Sequence, residues 1–398
     1  MERDKMVLRQ KFIMQKFVTQ STKWFAFALF AGLCLPASAQ NYTITEWPTP
    51  SASSLPLHLA VLNSNQFYFT EANKNRIGGV DVSTNAVTEW PLPKSSMPHS
   101  IVLDANNNLA FCAVSGNYVA VMNPNLTKDQ LTVYPVPTAD SSPIHLDTEL
   151  SLEQQPEYFF SEAVGNKIGL LDPVAGTITE WDVPTASSTP RGVSLGAGTQ
   201  VFFAELSTHK IGMLDTSTNN MTEWTIPGVR QVEHLHFVNG QIYFGDLATS
   251  VVGILNPTDN QVTEWNAPTQ DADIPDVYVV GTTFYFSERG AGKIGFLNPA
   301  QQAGTVKTAK VVVTPESPTV SLVTPTIATL KATTTIETPT VTNLTGTVSG
   351  GFTEWTIPSS DSGPLGIVGQ GGTPVFFSEY YGNKVAELTN SDPSGMLK

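Results

Sequence analysis

A Thr-Glu-Trp signature, with a proline two or three residues further on, recurs along the chain at a near-constant interval. It stands at Thr45-Glu46-Trp47, Thr88-Glu89-Trp90, Thr179-Glu180-Trp181, Thr222-Glu223-Trp224, Thr263-Glu264-Trp265 and Thr353-Glu354-Trp355, with a degraded copy at Thr132-Val133-Tyr134. The aromatics lie 43, 44, 47, 43 and 41 residues apart, and then 90. Six of the seven tryptophans occupy this slot, so the period reflects structure rather than composition. A period of about 40–45 residues built from strand-like runs is the sequence mark of a β-propeller.

Three further landmarks recur in each unit. The first is an apolar run entered through a proline, as at Pro98-His99-Ser100-Ile101. The second is an aromatic-aromatic-small-acid run, as at Tyr68-Phe69-Thr70-Glu71 and Phe376-Phe377-Ser378-Glu379. The third is a basic-Ile-Gly run, as at Lys167-Ile168-Gly169. Short β-branched and aromatic runs separated by Gly, Asn, Asp and Pro predict strands joined by turns. In chain order they are strands A, B, C and D, with Thr-Glu-Trp on D. The repeats open on a lone D strand at 43–48 and end on an A, B and C set at 365–388. The first D strand therefore completes the last blade, which removes the open edges of the ring. The expected fold is all-β: a seven-bladed propeller of four-stranded antiparallel blades.

The 90-residue gap marks an insertion in blade 6, near 303–350 and rich in Thr, Val and Pro. It divides the propeller into 40–302 and 351–398. Val/Thr alternation broken by Thr-Pro steps predicts either an extended β arm or a flexible stalk. If it presents a surface to a partner, its deletion should weaken partner binding and leave thermal stability nearly intact.

Residues 1–39 predict a secretory signal peptide. Met1 to Lys23 carries six basic and two acidic residues, Trp24 to Leu35 is apolar, and Pro36-Ala37-Ser38-Ala39 offers a small-residue cleavage site before Gln40. Twelve apolar residues fall short of the ~20 that span a bilayer, so no membrane span is expected in the mature chain. The segment carries +4 of a total of −14, which leaves −18 on the remainder. That acidity argues against nucleic acid and anionic membranes as partners. Outside the segment Cys112 is the one cysteine, so the fold must be held by its core. The mature protein is expected to be secreted or periplasmic, and a monomer.

The repeat resembles the virginiamycin B (streptogramin) lyase family. Gly165-Asn166-Lys167-Ile168-Gly169, Thr177-Ile178-Thr179-Glu180-Trp181 and Gly363-Pro364-Leu365-Gly366-Ile367 are similar to its repeat motifs. The resemblance implies a propeller whose lyases open the ester ring of streptogramin B antibiotics by elimination with Mg2+, on the face of the D–A and B–C loops. The implied site has an aromatic after the proline of blade 1, a histidine after that of blade 6, and Glu-Pro-His with a strand-B glutamate in blade 7. Here Leu57 follows Pro56, Asp276 follows Pro275, and blade 7 reads Gly363-Pro364-Leu365; Glu379 alone approximates the strand-B acid. A general base must titrate and reach its proton, and Leu365 does neither. The resemblance thus implies a propeller without most of the lyase site, binding an unknown small molecule or protein on that face.

Histidines supply a different constellation. His58, His99, His145, His234 and His236 all lie at or near the start of strand A. Strand A lines a propeller channel, so blades 1, 2, 3 and 5 aim imidazoles at one mouth. One expectation is a divergent lyase with His99, His145 and His234 as catalytic groups. Ligand contacts are then expected from His58, Arg191, His236 and Asp276, with Glu233 and Glu379 as metal ligands. Mg2+ is the expected cofactor only for such a lyase. The bland alternative is a polar lining of a wet mouth. The strand-B acids are expected to be structural, accepting loop hydrogen bonds or pairing with a lysine of the next strand. The strand-D Trp and Glu are expected in inter-blade packing.

Overall fold

The computed structural model describes residues 41–124, 130–150, 155–369 and 374–390; the expected signal segment lies outside them. The described chain is almost entirely strand, apart from a short 3-10 turn at Ala72–Lys74. Seven antiparallel sheets follow one another. Strand A of each blade packs beside strand A of the next, and blade 7 packs beside blade 1, so the ring closes. Blade 1 comprises Pro56–Asn63, Gln66–Glu71, Arg76–Asp81 and Ala86–Pro91. Blade 7 comprises Pro364–Gly369, Val375–Glu379, Lys384–Asn390 and, as its strand D, the N-terminal Asn41–Pro48. Trp47 stands opposite Val385 in that closing pair.

Each recurring residue type has a packing reason. The second aromatic of strand B lies flat over the glycine of strand C. A Cβ on Gly78 would stand 2.1 Å from the Phe69 ring, and one on Gly169 2.2 Å from Phe160. In three blades the tryptophan of strand D donates across to the next blade. Trp47 Nε1 reaches Asn85 Oδ1 at 3.0 Å, Trp181 reaches Asn219 at 2.9 Å, and Trp224 reaches Asn260 at 2.8 Å. Those asparagines turn C into D at φ of 57°, 56° and 62°, a left-handed conformation that asparagine tolerates best after glycine. The signature glutamate ties down the preceding D–A loop: Glu89 accepts from Ser51 N and Oγ at 2.9 Å, and Glu354 from Thr269 N at 3.2 Å and Oγ1 at 3.0 Å.

The blades have five strands, not the expected four, and the insertion supplies the fifth. It leaves strand C of blade 6 (Lys293–Leu297), runs once round the perimeter, and returns to strand D of the same blade (Phe352–Thr356). Its seven short strands pair in turn with strand D of blades 5, 4, 3, 2, 1, 7 and 6. The register has a period of its own. The signature glutamate positions face Thr305, Val312, Thr319, Thr333, Thr340 and Thr347, and Val133 of the degraded copy faces Thr326. Each step is seven residues, which is about 23 Å of extended chain at most. Pro315 ends its belt strand, and prolines at 318, 325 and 339 fall at the corners between strands, where no ladder N–H is needed. Val306, Val313, Val320, Ile327 and Val341 form an exposed series on the rim at the same spacing.

The belt covers the outer edge of every blade, so its removal should cost stability. Replacing 303–350 by a tight turn should lower the melting temperature by several degrees, since ~1 kcal/mol is worth about 2–4 °C in domains of 150–250 residues. Calorimetry on both proteins checks this; an unchanged transition would restore the picture of an appended arm.

Candidate functional site

Each strand A except that of blade 6 enters the sheet through a β-bulge at the channel. In blade 1, Pro56 pairs with Glu71 and Leu59 with Phe69, so Leu57 and His58 together face Thr70. Blades 2, 3, 4, 5 and 7 shift register at the same place. The freed backbone groups are met by the small residue of strand B. His58 N donates to Thr70 Oγ1 at 3.3 Å, and Thr70 Oγ1 donates to the His99 carbonyl of the next blade at 2.6 Å. Ser287 likewise donates to the Leu365 carbonyl at 2.6 Å. In blades 1, 6 and 7 the small residue, Thr70, Ser287 or Ser378, is therefore a hydroxyl staple to the next strand A, a role that sequence reasoning missed; blades 2, 4 and 5 carry Cys112, Ala204 and Gly245 there.

Register sorts the channel residues into levels. The first after the proline position holds Leu57, His99, Ile144, Arg191, Glu233, Pro275 and Leu365; the second holds His58, Ser100, His145, Gly192, His234, Asp276 and Gly366. Asp147 and His236 lie two residues deeper. The bulge turns both upper levels to the axis, and the imidazoles meet there. Ring centroids are 4.9 Å apart for His58–His99, 4.7 Å for His58–His145, 5.0 Å for His99–His145, 4.8 Å for His145–His234 and 4.8 Å for His234–His236. The structure thus gathers all five strand-A histidines. His209 lies apart, exposed on its B–C turn.

The cluster divides by its electrostatics. His234 Nδ1 lies 2.8 Å from Asp276 Oδ1, and His236 Nε2 lies 3.6 Å from the same oxygen. Asp276 also accepts from Val277 N at 2.8 Å and from Ile367 N of blade 7 at 3.0 Å. Burial acts to raise its carboxyl, but the His234 charge and the two histidine contacts hold it far below the usual carboxylate range. Burial likewise acts to lower His234, and Asp276 outweighs it, so His234 titrates above its ordinary value. The other three imidazoles go the opposite way. Burial, with His234 adding its charge, pulls His58 down to about 4, and His99 and His145 fall well below the ordinary value. His58 Nδ1, His99 Nδ1 and both nitrogens of His145 are buried with no hydrogen-bond partner. A buried polar group so placed costs about 1–3 kcal/mol.

Above this layer opens a cleft of about 600 Å³ on the D–A and B–C face. Leu57, Leu365, Ala72, Tyr380 and Tyr381 give it apolar walls, and His99, Glu233 and Arg289 give it polar ones. Arg289 is held by Asp273 through two bonds of 2.8 and 3.0 Å. Arg191 stands 3.9 Å from Glu233 at the same level. Sequence reasoning missed Arg289, which follows a strand-B acid, and Asp147, whose carboxylate accepts Leu195 N at 2.9 Å. Below the layer lies a smaller cavity of about 160 Å³ lined by His58, His234, His236, Asp147 and Asp276.

Glu379 is not brought to the channel. Burial and the neighbouring Glu46 push its carboxyl up to about 8, and both its oxygens lie in the interior beside that strand-D acid. The same pairing recurs at Glu71 with Glu89, Glu162 with Glu180, Glu205 with Glu223 and Glu288 with Glu354. In each, burial and then the partner's charge push the strand-B acid to about 8. Burial beside a second carboxyl thus favours the protonated form of the strand-B acid. The strand-C cations pair with the strand-D member, as in Arg76–Glu89 at 3.2 Å and Lys293–Glu354 at 2.9 Å. Of the two roles expected for the strand-B acids, Asp246 accepts loop hydrogen bonds from Gln231 N at 3.3 Å, Ala248 N at 2.6 Å and Thr249 N at 3.0 Å, while the other five lie beside a strand-D glutamate rather than a lysine. This arrangement does not suit the Mg2+ implied by the family resemblance. Mg2+ demands oxygen donors in octahedral array, whereas Leu57 and Leu365 bring none and Glu379 is committed elsewhere.

Fold and site together define a seven-bladed propeller with a bulged, histidine-lined channel beneath a mixed apolar and polar cleft. The chain belongs to the virginiamycin B lyase family, whose model matches residues 37–234 and 126–307 in overlapping stretches. Solved structures agree on the fold. The virginiamycin B lyase of Staphylococcus aureus superposes with a TM-score of 0.67 at 19% identity, over 87% of this chain and 99% of its own. A streptogramin B lyase gives 0.68 at 19%, over 88% and 98%. The WD40 propeller of Doa1 gives 0.57 at 6%, over 87% and 98%. No curated protein matches.

The buried carboxyl pairs set a pH dependence. Glu71, Glu162, Glu205, Glu288 and Glu379 each titrate near 8 when folded and near 4.3 when unfolded. Their contribution is fully present below the unfolded value and is lost as pH rises toward 8, at no more than about 1.4 kcal/mol per unit per group. The melting temperature should fall between pH 5 and pH 8.5, and Glu71→Gln should flatten that fall. A melting temperature that rises over this range would refute the protonated pairs.

Proposed function

We propose that this protein is an exported, monomeric binding propeller that takes an amphipathic small molecule into the cleft on its D–A face. The cleft carries the reading: about 600 Å³ with aliphatic and tyrosine walls and a few fixed polar groups is the size and character of small-molecule sites. Catalysis by the family route finds no support at Leu57, Asp276, Leu365 and Glu379. One member of the fold, the catalytically inactive S. aureus variant, was solved with quinupristin, which makes a streptogramin B the first ligand to try. Export rests on the composition of residues 1–39.

A second reading, a divergent lyase, rests on the His234–Asp276 contact of 2.8 Å. A carboxylate that orients an imidazole is how general bases are commonly held. In such an enzyme His234 would move the proton.

One experiment separates the two. Quinupristin is incubated with the protein, with Mg2+ and then with EDTA, and followed by calorimetry and by chromatographic retention, because ring opening by elimination leaves mass unchanged. Saturable binding without a retention shift is expected, and Tyr381→Ala should weaken it about 10-fold, or ~1.4 kcal/mol. A shift abolished by His234→Ala would put the lyase first. Neither binding nor a shift would remove streptogramins as the ligand class.

A further inference from the structure

We infer that His58, His99 and His145 form a site for a late first-row divalent ion such as Zn2+, set in the axial channel between the mouth cleft and the lower cavity. This goes beyond the ligand-binding reading and needs no ligand in the cleft. One ligand atom from each of the three lies within 4.8 Å of the others. Zinc–nitrogen bonds of about 2.0–2.1 Å require nitrogens roughly 3.4 Å apart in a tetrahedral shell, which small ring rotations reach.

The nitrogens are also prepared. In His58 and His99 alike, Nδ1 is buried without a hydrogen-bond partner, so each ring has a nitrogen to offer an ion. His145 is fully buried with neither nitrogen engaged, so it can present either one.

Donor chemistry decides the ion. Three imidazoles suit Zn2+, Co2+, Ni2+ or Cu2+ and not Mg2+, the ion the family resemblance implies. The neighbouring His234, His236 and Asp276 group is also compact. Asp276 there already accepts two backbone N–H groups, that of Val277 beside it and that of Ile367, which binds blade 6 to blade 7, so it serves the ring first. A three-histidine site keeps one position for water or for a donor atom of a ligand, and His99 lines the wall of the mouth cleft.

The test uses tag-free protein stripped with a chelator, checked for a cooperative melt, and titrated with Zn2+, Co2+ and Mg2+. The expected result is one Zn2+ or Co2+ per chain, a rise in melting temperature on loading, and no saturable uptake of Mg2+. His99→Gln and His145→Gln should each weaken Zn2+ binding by more than the roughly 10–100-fold that loss of a supporting contact costs. His209→Gln and Tyr381→Ala should leave it unchanged, so this inference and the ligand-binding reading fail separately. If a channel variant does not fold, X-ray absorption of the Zn2+-loaded wild type must show three imidazole nitrogens. Absence of uptake by cooperatively melting wild type, uptake that survives His145→Gln, or a shell with two or fewer imidazoles would overturn it.

Discussion

Closure of the ring is the constraint on which everything else rests. An open sheet edge is a row of unpaired backbone groups, and a circle of seven blades has no open place only if the last strand is supplied from elsewhere. Asn41–Pro48 supplies it, lying between strand C of blade 7 and the belt strand Thr340–Thr345. Once the circle is shut, seven strands A surround one axis at fixed spacing. Their first residues must share that axis whatever their chemistry. That is how imidazoles at positions 58, 99, 145, 234 and 236 become neighbours although up to 178 residues separate them in sequence.

The repeat was legible because its residues do the same physical work in blade after blade. Trp reaches an asparagine of the next blade, Glu ties down a loop, and a glycine makes room for a phenylalanine ring. Blade number, strand order and closure by the N-terminal strand all follow from that repetition. The belt was not legible as a belt, because its residues pair by backbone and leave few side-chain marks. Its signal is present all the same. Thr or Val returns at 305, 312, 319, 326, 333, 340 and 347, a seven-residue period hidden by searching only for the longer one.

The site was half legible. The proline before strand A marks the channel entrance, so the histidines after it could be assigned to one mouth from sequence. What sequence could not show was the split among them. One carboxylate from blade 6 raises His234, while burial lowers His58, His99 and His145. The strand-B acids were misjudged for a related reason. Five of them lie beside the strand-D glutamate, a partner 18 residues later in blades 1, 3 and 4, 66 later where the belt intervenes, and at the other end of the repeats for Glu379 and Glu46, and nothing local announces that two acids will be buried side by side.

Repeat proteins change size by copying or losing a unit, and a plain propeller tolerates such changes if the circle can still close. This one carries a second repeat that has to agree with the first. Seven residues of belt serve each blade, and the circuit begins and ends on blade 6. A duplicated blade would leave one outer edge bare, and a lost blade would leave a loose heptad. The belt therefore works as a counter, making blade number a property checked twice within the same chain.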